Sequence, residues 1–343
     1  MRRYFTRMLA TAITAILAIQ MVACGGVQIQ SQTPANSNGS GKVASGPIKI
    51  VVVPKALGFS YWQQVHQGAT CAGSKLQNVH LQWDGVNAET DVTGQVNLLT
   101  NYVTQGVNGI VYAATDAKAL KQVTDQATKA KISVVNIDSG TNPQPSNVPL
   151  FATDNVTSAQ KAADLLSTAL HGHGKVAFIP FLQGSATNDE RAQGFKQELS
   201  KYPGVQLVAE QYSQSDTNVA LRVTQDILTA HPDITGIFAA NEPGVIGAAE
   251  AVRQAGKTGK ITIIGWDAAP DEIQAVKSGE ISALVVQNPF KMGYDGVQAV
   301  VKMVRTGQQV KSENTGVTLV TKANLNDSKV QAVLNPSCAN PPV

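Results

Sequence analysis

Short runs of β-branched and other apolar residues alternate with longer segments of helical periodicity along most of the chain. The first run is Ile48–Val53, and the segment 61–76 that follows carries apolar side chains at helical spacing. Strands alternating with helices of this length predict parallel sheets built from right-handed βαβ units. Strands are predicted at 48–53, 81–83, 109–112, 132–137, 176–180, 205–210, 236–239, 261–265, 283–286 and 317–320, and helices at 61–76, 92–103, 117–130, 158–170, 189–200, 217–230, 244–254, 271–277 and 291–305.

These strands are too many for one comfortable sheet, so we expect an α/β protein with two doubly wound, Rossmann-like lobes. The composition agrees, because aromatic residues make up only 5% and charged residues 15% of the 343 residues. Parallel strands that are covered by helices on both faces are apolar throughout. If the carboxyl ends of the strands in the two lobes face each other, the cleft between the lobes is the expected binding site.

The N-terminus has the pattern of an export signal. Three arginines among the first seven residues precede an apolar run that ends at Cys24, and this run is short for a membrane span. Residues 1–23 are therefore predicted to be a signal peptide, with a transmembrane anchor as the alternative. Cleavage would remove three of the 27 basic residues and none of the 24 acidic ones, which leaves a formally neutral mature chain.

Cys24 and the residues after it predict attachment to a membrane through a lipid. The cysteine follows small residues and precedes Gly25-Gly26, which resembles a bacterial lipoprotein cleavage site. Residues 24–46 are rich in Ser, Asn, Gly and Pro and have no apolar period, so we expect a flexible, lipidated tether. No basic tract occurs along the chain, so nucleic acid is not an expected partner.

Two further cysteines, Cys71 and Cys338, lie far apart in the sequence. Outside the cytoplasm such a pair tends to be oxidised. A disulfide between them would attach the C-terminal tail to the first long helix, and two unrelated free thiols are the alternative.

Motifs of enzymes are absent from the sequence. No GxGxxG follows the first strand, and neither a GxxxxGK[ST] loop nor a GxSxG elbow occurs. His171 and His173 could suggest a metal, but no Cys or carboxylate stands at ligand spacing, so a solvated loop is favoured. We therefore expect a protein without a catalytic residue, metal or cofactor.

Polar residues recur just past the predicted strand ends. One such residue could be an ordinary helix N-cap, and this alternative stays open for Asp138 and Asp267. Five at equivalent ends of parallel sheets favour a ligand site, because open α/β sheets bind ligands at that edge. Amide, carboxylate and ammonium groups suit a polyhydroxylated ligand. The five are Lys55, Asp138, Asn241, Asp267 and Gln287.

Aromatic residues stand near the same predicted edge although the chain has few of them. Phe59, Tyr61 and Trp62 follow the first strand, and Trp266 ends another. Flat aromatic faces pack against the C–H side of a sugar ring. The alternative for Phe59 and Trp62 is that they belong to the core, since aromatic side chains on a helix face are usually buried.

Eight motifs in order resemble the type I periplasmic binding proteins of the ribose/galactose cluster, over about residues 48–323. They are VVVPKALGFSYWQQVHQGA, QGVNGIVYAATDAKAL, VVNIDSG, LFATDN, NDERAQGF, FAANEPGVIGAAEAV, IIGWDAAP and ALVVQNP. The resemblance implies that Tyr61 and Trp62 flank the ligand ring and that Trp266 packs nearby. It also implies that five polar side chains bind hydroxyls: Asp138, Arg191, Asn241, Asp267 and Gln287.

Arg191 is selected only by the Arg-x-x-Gly-Phe pattern of this family, since it lies at a predicted helix start. Lys55 and the stretch DVTGQVNLLTNYVTQG look more like the rhamnose- and autoinducer-2-binding branch. That branch implies a ligand contact from a carboxylate near Asp189. Ala113 stands where ribose-binding relatives carry Asn, so the resemblance does not identify the sugar.

The family resemblance implies two discontinuous lobes that close on a ligand by hinge motion. We expect an N-terminal lobe of residues 47–153 and 289–313, a C-terminal lobe of 154–288 and 314–335, and a tail of 336–343. The chain is expected to cross between the lobes near 152–155, 287–289 and 311–316.

The expected protein is a monomeric, exported lipoprotein that faces the periplasm or cell exterior and passes a monosaccharide or similar polyol to the membrane permease of an ABC transporter. Two alternatives remain. One is a receptor that presents autoinducer-2 or a sugar to a membrane chemosensor, and the other is an exported hydrolase.

Overall fold

The structure is a computed structural model that describes residues 46–339 and 341. Two sheets with helices on both faces make up this part of the chain. The strands are β1 (Ile48–Val53), β2 (Val79–Trp83), β3 (Gly109–Tyr112), β4 (Ser133–Ile137), β5 (Leu150–Ala152), β6 (Gly174–Ile179), β7 (Val205–Glu210), β8 (Gly236–Ala239), β9 (Thr262–Trp266), β10 (Ala283–Val286), β11 (Glu313–Asn314) and β12 (Thr318–Thr321). The helices are α1 (Ser60–Lys75), α2 (Val92–Gln105), α3 (Ala119–Lys129), α4 (Asn155–Ala169), α5 (Ala186–Leu199), α6 (Thr217–Ala230), α7 (Glu242–Gln254), α8 (Pro270–Ser278), α9 (Pro289–Thr306) and α10 (Ser328–Leu334).

Each sheet has six strands and belongs to one lobe. The sheet of the N-terminal lobe has the order β11-β5-β4-β3-β1-β2, and that of the C-terminal lobe β12-β10-β9-β8-β6-β7. All pairings are parallel except the antiparallel pair of β10 with β12. The chain passes from one sheet to the other between β5 and α4, between β10 and α9, and between β11 and β12.

Apolar side chains on both faces of each strand hold the helices against the sheets. In β1, Ile50 and Val52 belong to a cluster that includes residues of α1 and α9, whereas Val51 and Val53 pack with residues of α2 and α3 on the other face. Because neighbouring side chains of a strand point to opposite faces, such a run must be covered on both sides. The same holds for β6, where Ala177 and Val176 belong to different clusters.

Several helices begin two or three residues before their predicted start because a polar side chain caps them. The Asp154 carboxylate accepts the N–H of Thr157 at the start of α4, and the Asn288 amide oxygen accepts that of Lys291 at the start of α9. The spacing of apolar residues does not predict the first turn of such a helix, because the capping hydrogen bond determines where the helix begins. Strands β5 and β11 and helix α10 were not among the predicted elements; β11 has only two residues, both exposed.

The C-terminal tail is joined to the N-terminal lobe. Cys71 of α1 and Cys338 form a disulfide, and the Lys75 ammonium donates to the Cys338 carbonyl at 2.9 Å. Helix α10, which precedes the tail, packs its Val330 into the core of the C-terminal lobe. The disulfide thus connects an element of one lobe with a helix of the other.

The predicted signal peptide, Cys24 and residues 24–45 of the predicted tether lie outside the described residues. Among the residues that are described, no helix combines the length and apolar character needed to cross a membrane.

Candidate functional site

A small cavity lies between the lobes, at the carboxyl ends of strands from both sheets. Side chains of both lobes line it, with charged, amide and aromatic groups among them. The lining residues are Lys55, Phe59, Tyr61, Trp62, Glu89, Asp138, Phe181, Thr187, Arg191, Asn241, Glu242, Pro243, Asp267 and Gln287.

Lys55, which follows β1, and Asp138, which follows β4, form a buried ion pair with a separation of 2.8 Å. The ammonium also donates to the Thr187 hydroxyl at 3.0 Å and the Ser185 hydroxyl at 3.3 Å, both at the start of α5 in the other lobe. Its three donors are therefore used by one carboxylate and two hydroxyls. Lys55 joins the lobes and orients Asp138.

Tyr61 and Trp62, in the first turn of α1, present polar atoms to the cavity while their rings belong to the core of the N-terminal lobe. The Tyr61 hydroxyl donates to Asp138 at 2.9 Å, and the Trp62 indole N–H donates to Glu89 at 3.2 Å. Burial, together with the Asp138 charge, raises the pKa of Tyr61 well above its ordinary value, so the phenol stays protonated. Trp62 thus belongs to the core and also lines the cavity.

Arg191 lies in α5 with its guanidinium turned into the cavity and only 3% of the residue exposed. Its Nε donates to the Asn155 side chain at 2.9 Å, and its Nη1 donates to the Ala240 carbonyl at 2.7 Å. The guanidinium carbon lies 4.2 Å from the centroid of the Trp266 ring. Stacking and hydrogen bonds fix the plane of the guanidinium, which leaves Nη2 without a partner among the described residues.

Asp267 and Gln287 form a second polar group at the ends of β9 and β10. The Gln287 amide donates to one carboxylate oxygen of Asp267 at 2.8 Å, and the backbone N–H of Glu242 donates to the other at 3.3 Å. Burial raises the pKa of Asp267 to about 7, and the nearby Arg191 charge opposes this effect. The carboxylate thus has no direct cationic partner among the described residues, in contrast to Asp138.

Asn241 has two roles in the structure. Its side-chain oxygen accepts the N–H of Gly244 and so caps α7, and its amide donates to the Ser215 hydroxyl at 3.0 Å while it lines the cavity. The helix-cap alternative does not apply to Asp267, because the N-cap of α8 is Ala269. It does not apply to Asp138 either, since the next helix along the chain begins only at Asn155.

Asp189 and Trp266 are predicted site residues that do not line the cavity. Asp189 is exposed: α5 turns about 100° per residue, so a side chain two positions before Arg191 points away from the cleft. Trp266 is completely buried behind Arg191, which fits the expectation that it packs nearby rather than contacts a ligand. Phe59 is half-buried at the edge of the cavity.

Five cavity-lining residues escaped the sequence analysis: Glu89, Phe181, Thr187, Glu242 and Pro243. Phe181 comes two residues after β6 and Glu242 three residues after β8, so both lie just past a strand end, as the predicted polar residues do. Glu89 lies in the loop after β2, and no local pattern marks it. Its carboxylate accepts hydrogen bonds from Trp62 of its own lobe and from Ser215 of the other lobe, the latter at 2.7 Å.

Comparisons with known proteins identify a family to which the whole body of the chain is similar. A model of the periplasmic binding protein domain matches residues 50–309. The chain is 29% identical over 279 residues to the D-ribose/D-allose-binding protein of Pseudomonas aeruginosa, an alignment that covers 78% of this chain and 86% of the relative.

Two solved structures share the architecture. A carbohydrate transporter solute-binding protein from Agrobacterium radiobacter in complex with D-arabinose has a TM-score of 0.81 and 34% identity, over 85% of this chain and 100% of the other. An ABC transporter solute-binding protein from Agrobacterium vitis with bound D-fucose has a TM-score of 0.80 and 34% identity, over 83% and 99% of the two chains. These likenesses confirm the predicted two-lobed α/β fold.

Proposed function

The chain belongs to the periplasmic binding protein family, and we propose that it captures a neutral monosaccharide, or a polyol of that size, in the cleft between its lobes. The relatives and neighbours are binding proteins of transport systems, so the chain is a binding protein and not an enzyme. The single observation that carries the proposal is the arrangement of carboxylates, amides, one guanidinium and aromatic rings around the cavity between the lobes.

The hydrogen-bonding groups of the cavity suit a ligand rich in hydroxyl donors. Asp138 and Asp267 each present both carboxylate oxygens to neighbours yet retain lone pairs, and Gln287 Oε1 has no protein partner among the described residues. Nη2 of Arg191 is a donor left for a ligand and suits a ring or hydroxyl oxygen. Each sugar hydroxyl is both a donor and an acceptor, so a sugar can donate to these oxygens and accept from Nη2.

The charge of the cavity argues against a phosphorylated or carboxylated sugar. Four carboxylic side chains line it, against the two cations Lys55 and Arg191. Both cations already have hydrogen-bond partners in the protein. An anionic ligand would add a further negative charge to a buried, acid-rich site, which is unfavourable at low effective dielectric constant.

Binding is proposed to favour the closed arrangement of the lobes. A ligand that contacts Asp138 in one lobe and Asp267 in the other gains both sets of hydrogen bonds only when the cleft is closed. The segments that connect β5 with α4, β10 with α9 and β11 with β12 would then act as hinges between the two lobes. The closed form would be the one recognised by an ABC permease.

We also propose that the protein is exported and held at a membrane by a lipid on Cys24. Membership of a periplasmic binding protein family supports export. The lipid is supported by the Ala-Cys-Gly-Gly sequence at 23–26. Radioactive palmitate should label the wild-type protein and not the Cys24→Ala variant, and equal labelling of both would exclude the anchor.

The decisive test of ligand class is isothermal titration calorimetry of the purified protein. The panel should include D-ribose, D-allose, D-arabinose and D-fucose, with D-ribose 5-phosphate and D-galacturonate as the charged counterparts of D-ribose and D-fucose. We expect binding of at least one neutral sugar with a dissociation constant in the micromolar range or below, and at least 100-fold weaker binding of both charged compounds. Tight binding of only the charged compounds would contradict the proposed ligand class.

A further inference from the structure

Helix α1 has no N-terminal cap of its own. Its N-cap residue is Phe59, whose side chain has no hydrogen-bonding group, and its first turn contains no acidic residue. The first N–H groups of a helix have no partner within the helix and form the positive end of its dipole. A capping acceptor at this position stabilises a helix. The start of α1 therefore requires an acceptor from elsewhere.

The acceptor is the Glu242 carboxylate of the other lobe. One of its oxygens accepts the N–H of Ser60 at 3.0 Å, and the other accepts the N–H of Tyr61 at 2.9 Å. Glu242 is the first residue of α7, whose neighbours in the C-terminal lobe are α6 and β8, whereas α1 packs on α9 of the N-terminal lobe. The residue is only 6% exposed. The cap of α1 thus exists only while the two lobes are together.

Glu242 also connects this interlobe contact with the proposed ligand site. Its backbone N–H donates to Asp267, and the Tyr61 that it holds donates its hydroxyl to Asp138. Glu242 therefore contacts α1 through its carboxylate and the cavity-lining Asp267 through its backbone, and this position can couple lobe closure to the ligand site. No hydroxyl of a ligand is needed for the contact itself.

We propose that Glu242 is a positioning residue that closes the lobes by capping α1 in trans, and that it thereby sets how much of the ligand-free protein is already closed. This inference rests on the proposed function only in that closure is the binding-competent state. A protein whose competent state is populated in advance binds more tightly, in proportion to that population. Glu242 should therefore retain the ligand after binding and slow its release.

The test is small-angle X-ray scattering of the ligand-free wild-type protein and the Glu242→Gln variant. A glutamine has nearly the same shape but offers only one acceptor and turns an NH₂ group toward a backbone donor. We expect a larger radius of gyration for the variant without any sugar. With a bound sugar we expect an affinity about three- to thirty-fold lower, mainly through faster dissociation.

Glu250→Gln is the matched control, because Glu250 lies on the same helix, is on the surface and pairs only with residues of α7. It should leave both the radius of gyration and the affinity unchanged. An unchanged ligand-free radius of gyration in Glu242→Gln, with reduced affinity, would mean that Glu242 only contacts the ligand and would overturn the proposal. Because scattering is measured without ligand, the result stands whether or not any sugar of the panel binds.

A second variant separates closure from simple helix stability. Phe59→Asp in the Glu242→Ala background gives α1 a cap within its own lobe. We expect this double variant to recover thermal stability relative to Glu242→Ala and to keep the enlarged radius of gyration. Recovery of the wild-type radius of gyration would show that any cap of α1, even one from its own lobe, is enough for closure. This result would contradict the inference.

Discussion

The ammonium of Lys55 lies 2.8 Å from the carboxylate of Asp138, and neither side chain is more than 3% exposed. Both residues stand in the N-terminal lobe, but two of the three ammonium donors go to hydroxyls at the start of α5 in the other lobe. Burial of a charge is costly unless the charge is paired and hydrogen-bonded. The ion pair therefore stabilises the closed cleft and also forms part of its lining.

Replacing Lys55 by Met should destabilise the protein strongly, because it leaves the Asp138 carboxylate buried without its cation. Breaking one partner of a buried pair costs about 3–5 kcal/mol in other proteins. We expect the melting temperature to fall by roughly 6–15 °C. Differential scanning calorimetry at neutral pH measures this change.

The exposed pair of Lys175 and Asp233, with 42% and 59% of their side chains exposed, is the matched control. Lys175→Met should shift the melting temperature by less than about 3 °C, because surface ion pairs contribute about 0–1 kcal/mol. Equal shifts of the melting temperature for the two variants would show that the buried pair of Lys55 and Asp138 contributes no more to stability than the exposed pair. The double variant Lys55→Met/Asp138→Leu should recover much of the loss, since it removes both charges.

Asp267 should make the ligand-free protein more stable in mild acid. Its pKa in the fold is about 7, above its ordinary value, so the native state holds a proton that the unfolded chain has lost between these values. The contribution to the free energy of unfolding is fully present at low pH and is lost as the pH rises through about 7. Melting temperatures measured from pH 8 down to pH 5.5 should therefore rise by several degrees.

The Asp267→Asn variant should show a clearly weaker pH dependence over this range, because its amide does not titrate. Glu242 and Glu272, whose pKa values are also raised by burial, retain part of the dependence in the same direction. A variant that follows the wild-type curve would assign the titration to those glutamates instead. The affinity for sugar should depend on pH in the opposite direction to the stability. Hydroxyl donors of a sugar favour the ionised Asp267, so we expect higher affinity at pH 8 than at pH 5.5.

The position of most cavity-lining side chains could be predicted from the sequence because it follows from the register of parallel strands. Asp138 and Asp267 come directly after apolar runs, and the carboxyl ends of such strands share one edge of a sheet. Both residues have positive φ angles of 59° and 80°, where a carboxylate residue is tolerated better than a branched one. Local rules of this kind also located the strands themselves, except β5 and β11.

Contacts between the lobes could not be predicted in this way. Glu242 looks in the sequence like an ordinary acidic residue in the first turn of its own helix, which is favourable there. Its partner is the start of a helix some 180 residues earlier in the chain, and only the packing of two lobes brings them together. Glu89 is missed for the same reason, since its loop is held by Trp62 and by Ser215 of the other lobe.

Removing the disulfide between Cys71 and Cys338 should lower the thermal stability of the protein and also allow the two lobes to move further apart. Cys71 and Cys338 are separated by 267 residues, and loss of a native disulfide costs about 2–5 kcal/mol. Only three residues lie between Leu334, the end of α10, and Cys338, so the four steps of the backbone from one to the other reach at most about 14 Å. The tail therefore limits how far α10 of one lobe can move from α1 of the other.

We expect the Cys71→Ser/Cys338→Ser variant to melt roughly 4–15 °C lower and to have a larger ligand-free radius of gyration than the wild type. Calorimetry and small-angle X-ray scattering on the same samples test the two effects separately. A lower melting temperature at an unchanged radius would mean that the disulfide only stabilises the fold. The reducing agent alone should reproduce the effect of the variant on the wild-type protein.

Arg191 should tolerate no substitution, including the one that preserves its charge. Lysine cannot donate along the three directions used here, toward Asn155, toward the Ala240 carbonyl and into the cavity, nor can it stack as a plane on Trp266. We expect Arg191→Lys to weaken sugar binding by about 10- to 150-fold, since a hydrogen bond to a charged group contributes about 1.5–3 kcal/mol. Arg222→Lys, on the exposed face of α6, is the matched control and should bind as the wild type does. Titration calorimetry with the sugar identified for the wild type decides the matter: if charge alone were required at position 191, the lysine variant would keep most of its affinity, and the planar geometry of the guanidinium would have no part in recognition.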